Sequence, residues 1–368
     1  MTLVLIVIVV ALAFEYINGF HDTANAIATV VATKVLTPRQ AVLLAATANL
    51  LGAMWGTAVA KTIATGLIDV HLVAITSEVL ICALLGAIVW NLLTWWFGLP
   101  SSSSHALIGG LCGAALAASH NNWMVIVWSL PSKLHWYLGK GMLWKVIVPM
   151  ITSPLLGFFL AFCLMALLFV LLRNARPARV SRFFRHAQIA SASAMGLMHG
   201  TNDAQKTMGI VALALLGATQ AGQFETLPDC LSFLRATIPL PGQNVEIPLW
   251  IKVICALTMA AGTAVGGWRV IKTLGHKMVK LQPINGFAAE TSSALVIFTA
   301  THLGIPVSTT HNISAAIMGV GSAKRLSAIR WSVVEQILWA WLLTIPVTAG
   351  TAYLLVRLLQ ALGWMTGS

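Results

Sequence analysis

Hydrophobic residues fill this chain in long blocks divided by short polar breaks, and about 20 such residues make one bilayer-crossing helix. Blocks at roughly 3–33, 41–60, 72–97, 104–119, 146–172, 188–218, 249–268, 286–302, 311–321 and 333–356 predict an all-α, polytopic membrane protein. Several blocks depart from a plain span. The first and sixth are too long, and each carries an aspartate near its middle, Asp22 and Asp203. The blocks at 104–119 and 311–321 are too short to cross, and each follows a Gly-hydrophobic-Pro break and a run of hydroxyl residues.

These oddities come in pairs. Gly19-Phe20-His21-Asp22-Thr23-Ala24-Asn25 matches Gly200-Thr201-Asn202-Asp203-Ala204-Gln205-Lys206 with Gly and Asp in register. Likewise Gly98-Leu99-Pro100-Ser101-Ser102-Ser103-Ser104-His105 matches Gly304-Ile305-Pro306-Val307-Ser308-Thr309-Thr310-His311. The chain therefore reads as two halves, residues 1–172 and 188–368, joined by a basic connector at 173–187. In each half an Asp-bearing broken helix precedes a Pro-hydroxyl-His break. Interrupted apolar segments at matching positions of two halves point to a transporter's binding site.

Charge gives the halves a direction. Lys34 and Arg39 follow the first span with nothing basic before it, which puts the N-terminus outside. Arg173, Arg176, Arg179, Arg182 and Arg185 precede the second Asp span and belong in the cytoplasm, with Arg269, Lys272, Lys277, Lys280, Lys324, Arg325 and Arg330 on the same side. Residues 219–248, with Glu225, Asp229 and Glu246 against Arg235, read as an outer loop; Lys133, Lys140 and Lys145 would stand outside against the trend. The expected architecture is an inverted-topology repeat with two re-entrant helical hairpins entering from opposite faces.

Composition removes other classes. Only 9% of residues are charged and mean hydropathy is +0.86, against about 25% charged in a soluble domain. The net charge of +12 sits in clusters between apolar runs, unlike a nucleic-acid binder. The five cysteines show no metal-ligand spacing and no disulfide framework. With no Gly-x-Ser-x-Gly or His-Glu-x-x-His element, an enzyme is not expected, nor a resident metal or cofactor.

A carboxylate near a bilayer centre costs at least ~2.5–3.5 kcal/mol, so Asp22 and Asp203 are functional by default. The glycine three residues before each can open the helix or allow close packing. Pro100 and Pro306 end one helix, and the hydroxyls Ser102, Ser103, Ser104, Ser308, Thr309 and Thr310 begin the next. Helix N-termini offer unpaired amide donors and partial positive charge, suited to an anion; ordinary capping explains only one of three hydroxyls on each side. His105 and His311 can donate to the anion, carry a proton, or pin the tips. An oxyanion beside two aspartates needs a positive companion: a cation on Asp22 and Asp203 aided by Asn25, a proton, or the fixed ammonium of Lys206. Glu290, 16 residues before Pro306, is a further candidate for gating or proton transfer, and Gln205 for substrate contact.

The two Asp motifs, the two Pro-hydroxyl-His elements and the stretch Gly266-Gly267-Trp268-Arg269-Val270-Ile271-Lys272-Thr273 resemble the inorganic phosphate transporter (PiT) family. The resemblance implies secondary uptake of inorganic phosphate across a bacterial inner membrane, an inverted-repeat fold with two hairpins, a homodimer, and phosphate held by the hairpin hydroxyls. Gln205-Lys206 replaces the asparagine of sodium-coupled members, which resembles the bacterial proton-coupled branch. H+ is then the expected co-transported ion; Na+, or a divalent metal bound to phosphate, is the alternative. Another tetrahedral oxyanion such as sulfate is the alternative cargo.

Overall fold

The computed structural model describes residues 1–69, 72–73, 75–130, 139–225, 228–238 and 245–365; Lys133 and parts of the 219–248 loop lie outside them. The first half contains α1 (Thr2–Ala32), α2 (Pro38–Ala53), α3 (Ala58–Thr65), α4 (Ser77–Phe97), α5 (Ser103–Ala118) and α6 (Val148–Leu171). The second contains α7 (Pro177–Gln220), α8 (Leu249–Val265), α9 (Trp268–Lys272), α10 (Pro283–His302), α11 (Thr309–Ser322) and α12 (Trp331–Ala361). In each half a long Asp helix is followed by a bent pair, a hairpin, and a long helix with an internal proline, Pro154 or Pro346. Among the described residues, four helices are long and apolar enough to cross a bilayer unaided, and the bent pairs pass the same test as units.

The expected break beside each aspartate is absent. α1 and α7 continue helically through Asp22 and Asp203, and the breaks fall in the partner pairs, α2–α3 bent by 71° and α8–α9 by 58°. Gly56 and Gly266, with φ of +81° and +80°, provide the left-handed backbone at these bends. The glycines of the Asp motifs serve close packing instead. A Cβ on Gly19 would overlap the carbonyl of Met259 in α8, and one on Gly200 the carbonyl of Asn49 in α2. Gly262 and Gly52 meet Tyr16 and Leu197 in the reciprocal way, so the same glycine-lined crossing is used twice. Gly200→Ala is expected to cost about 1–3 kcal/mol by overpacking, read as a thermal unfolding midpoint several degrees lower in detergent; an unchanged midpoint would contradict this packing.

α1 and α7 run antiparallel. Arg185 near the start of α7 donates to the Lys34 carbonyl beyond the end of α1, while Leu3 lines a cavity with Leu213 and Gly217 near the far end of α7. α7 begins at Pro177, so most of the basic stretch at 173–187 is the first part of the Asp helix and not a separate connector.

α5 and α11, of 16 and 14 residues, reach only roughly 24 and 21 Å, short of the ~30 Å hydrocarbon core. Each packs against its predecessor, α4 or α10, as a hairpin. The last helix of each half embraces the other half's hairpin: α12 packs on α5 and α6 on α11. Asn312 of α11 accepts from Ser293 of α10 at 2.7 Å and donates to the Ser153 carbonyl of α6 at 2.9 Å, polar bonds that tie helices where no apolar driving force separates lipid from protein.

Candidate functional site

The two hairpin tips meet at the centre. Gly98 ends α4 in the left-handed region (φ +67°), Gly304 (φ +63°) follows α10, and each is followed by an apolar residue and proline. The chain then re-enters a helix with the same cap twice: Ser102 Oγ accepts from the His105 amide and Ser308 Oγ from the His311 amide, both at 3.1 Å. Two of the six hydroxyls expected to hold substrate are therefore helix caps in this arrangement. Ser104 Oγ donates across the tips to the Val307 carbonyl at 3.4 Å. The rings of His105 and His311 meet edge to face, 4.8 Å between centroids, and His311 stacks on Trp341 at 4.0 Å. Trp341 Nε1 donates to the Pro100 carbonyl at 3.1 Å, fastening the first tip to α12.

The helices α1 and α7 deliver their motifs to these tips. Lys206 Nζ donates to Asp203, to Ser104 Oγ and, at 3.0 Å, to the Val307 carbonyl. One ammonium thus joins an aspartate to both tips. Asn25, its counterpart, donates to Thr309 Oγ1 at 3.1 Å and Thr310 Oγ1 at 2.9 Å. Residues at matching positions therefore reach the third hydroxyl of the opposite half's hairpin, Lys206 to Ser104 and Asn25 to Thr310. Thr309 Oγ1 donates to Asp203 Oδ2 at 3.0 Å, and Thr310 Oγ1 to Asp22 Oδ1 at 3.4 Å. Ser103 Oγ is buried with no partner among the described residues, leaving a donor free for a ligand.

The aspartates differ in their surroundings. Asp203 has Lys206 on one oxygen and His199 Nε2 at 3.2 Å from the other. Asp22 has His21 Nδ1 at 2.6 Å but no lysine or arginine among the described residues. All of these side chains are buried. With neutral histidines, two carboxylates and one ammonium leave one net negative charge, and an added oxyanion would be repelled in this low-dielectric centre unless a positive species accompanied it.

Neither His199 nor His21 stands out as a site residue in the sequence. Asn49 Nδ2 donates to Thr263 Oγ1 at 2.9 Å, which leaves its Oδ1 to accept from His199 Nδ1 at 3.0 Å. The lone pair of His199 Nε2 then faces the Asp203 carboxylate, two acceptors in contact, and Nε2 has no hydrogen-bond donor among the described residues. Asp22, His199 and Asp203 place one ligand atom each within 4.8 Å of one another, a cradle for a positive species that spacing rules for metal centres do not detect. The signal available was only that His199 precedes Gly200 in the repeated motif.

Two expected site residues lie elsewhere. Gln205 is not at the tips: its Oε1 accepts from the Val59 and Ala60 amides at 2.8 and 3.3 Å, and its Nε2 donates to the Trp55 carbonyl at 3.2 Å. It splints the α2–α3 bend, because it points away from the face that carries Asp203 and Lys206. Glu290 sits within α10 and not at its hairpin tip, where Thr29, Ser191 and Gln188 donate to its two oxygens. Counted back from the Gly98/Gly304 pair, its counterpart in the first hairpin is Leu84.

A helical membrane bundle that closes two hairpin tips over a buried, charge-lined centre is the architecture of a transporter. The chain belongs to the phosphate transporter family, whose model matches residues 18–352. It is 42% identical over 347 residues to a Bacillus subtilis protein named as a low-affinity inorganic phosphate transporter, covering 94% of each chain. Proteins of the same name from Mycobacterium tuberculosis strain H37Rv and Rhizobium meliloti are each 44% identical, covering 100% and 93% of this chain and 80% and 92% of theirs. Among solved structures, a sodium-dependent phosphate transporter superposes with a TM-score of 0.77 at 24% identity, covering 98% of this chain and 100% of that one, which establishes a shared fold.

Proposed function

We propose that this protein takes up inorganic phosphate across a bacterial plasma membrane by symport with protons. Its halves are inverted repeats, the N-terminus lies outside, and the two hairpins open to opposite faces in turn. The observation that carries the reading is Lys206: its ammonium occupies the position equivalent to Asn25 and bonds Asp203, Ser104 and the Val307 carbonyl together. A permanent positive charge at that point takes the place of one transported cation. Phosphate oxygens, arriving between the tips, would take over the donors of Lys206, Ser103, Ser104, Thr309 and Thr310. The remaining negative charge at Asp22 and the facing acceptors of His199 and Asp203 are then balanced by a proton.

Radiolabelled phosphate uptake by the purified full chain in proteoliposomes tests this. An acid-outside pH gradient at zero sodium is expected to drive accumulation that a protonophore abolishes, and a sodium gradient at fixed pH is expected to drive none. Accumulation driven by sodium alone would reassign the coupling ion. Sulfate in excess is expected to leave phosphate uptake largely intact; full competition would widen the cargo to tetrahedral oxyanions.

A further inference from the structure

A second carboxylate, which the central site does not use, lies on the same stripe of α1. Glu15 precedes Asp22 by seven residues, which puts both on one helix face, roughly 10 Å apart along the axis. It is fully buried. Thr207 of α7 donates to its Oε2, while Oε1 is buried without a hydrogen-bond partner among the described residues. Asn18, one turn further along α1, also has a buried Oδ1 with no hydrogen-bond partner among the described residues. A proton on Glu15 gives Oε1 the hydrogen that would let it bond as a donor.

The charged and titratable groups acting on Glu15 from the packed helices are Asp203 and Lys206 of α7 and Cys255 of α8. Lys206 is already engaged by Asp203 and both tips, so no cation is dedicated to Glu15. Glu290 provides the contrast: both of its oxygens receive donors, from Thr29, Ser191 and Gln188. Glu15 is supported on one oxygen only, and burying an anion so incompletely bonded is costly.

We propose that Glu15 is the loading site for the coupled proton on the N-terminal side of the centre. The O–H bond forms at Oε1 with a proton that hydronium gives up on the opened outer side, leaving water, and breaks when that proton passes on to the acceptors at Asp22, His199 and Asp203. The inference rests on the proton-symport reading and adds to it the residue that carries the proton.

Proteoliposomes containing the full-length chain provide the test. Glu15→Gln keeps the shape of the protonated acid and removes the titratable proton. Phosphate counterflow at equal pH, which needs no net proton movement, is expected to stay within about threefold of wild type, while accumulation driven by a pH gradient falls about tenfold or more and the pH dependence of uptake flattens. Retained gradient-driven accumulation would overturn the assignment, and so would a folded variant that loses counterflow together with accumulation. Thr207→Val guards against a Glu15 variant that fails to insert. Removing the hydroxyl that donates to the anion favours the acid, so the uptake profile is expected to shift to higher pH; an unmoved profile would overturn the proposal. If wild-type protein ignores the pH gradient, the symport reading itself falls. If wild type and Glu15→Gln both respond, only the Glu15 assignment falls.

Discussion

Replacing Lys206 with methionine is expected to reduce phosphate uptake by about 100-fold or more and to destabilise the folded protein by about 3–5 kcal/mol. The ammonium is bonded to Asp203 and to both hairpin tips. Its loss leaves a buried carboxylate without a cation and unties the tips from α7. Radiolabelled uptake checks the first effect and thermal unfolding in detergent the second. The charge argument makes a sharper claim through a double variant. Asp203→Asn with Lys206→Met removes both charges, so much of the stability is expected to return, because the two sites form one bonded unit whose energies do not add. Transport is expected to stay lost. Lys206→Arg is not a conservative rescue: the planar guanidinium cannot occupy the compact three-way junction of an ammonium. A Lys206→Met protein that transports at wild-type rates would remove the ground for a fixed internal cation.

Much of this junction was legible in the chain. The Gly-Asp pair in register and the two Pro-hydroxyl-His elements mark the helices and hairpins that build it, because an intramembrane carboxylate and a proline followed by hydroxyls conflict with a plain apolar span. What was not legible depends on contacts between distant segments. Gly19 and Gly200 look equally suited to opening a helix or to packing, and only the carbonyls of Met259 and Asn49 pressed against them decide for packing. The real bends, at Gly56 and at Gly266-Gly267, contain no proline. Gln205 shares a motif with Asp203 yet points to the opposite side, since adjacent helical residues do not face the same neighbour. His199 lies four residues before Asp203, on its face of α7, but its lone pair is directed only by Asn49 on another helix.

The asymmetry between the two aspartates separates stability from transport. Among the described residues Asp22 meets no lysine or arginine, and its bonds come from His21 and Thr310; Asp203 is bonded to an ammonium. An amide at position 22 keeps an oxygen to accept from both donors and removes an uncompensated buried charge. Asp22→Asn is therefore expected to unfold at or above the wild-type midpoint, whereas Asp203→Asn strands Lys206 and is expected to unfold well below it. Uptake is expected to move the other way for position 22. Without that negative charge the centre no longer requires a positive companion for the anion, so gradient-driven accumulation is expected to fall by about 100-fold or more in a fully folded protein. Uptake by Asp22→Asn above about a tenth of wild type would mean that the charge balance at the tips is met without that carboxylate, and the coupling would then have to run through Glu15, Asp203 and His199 without it.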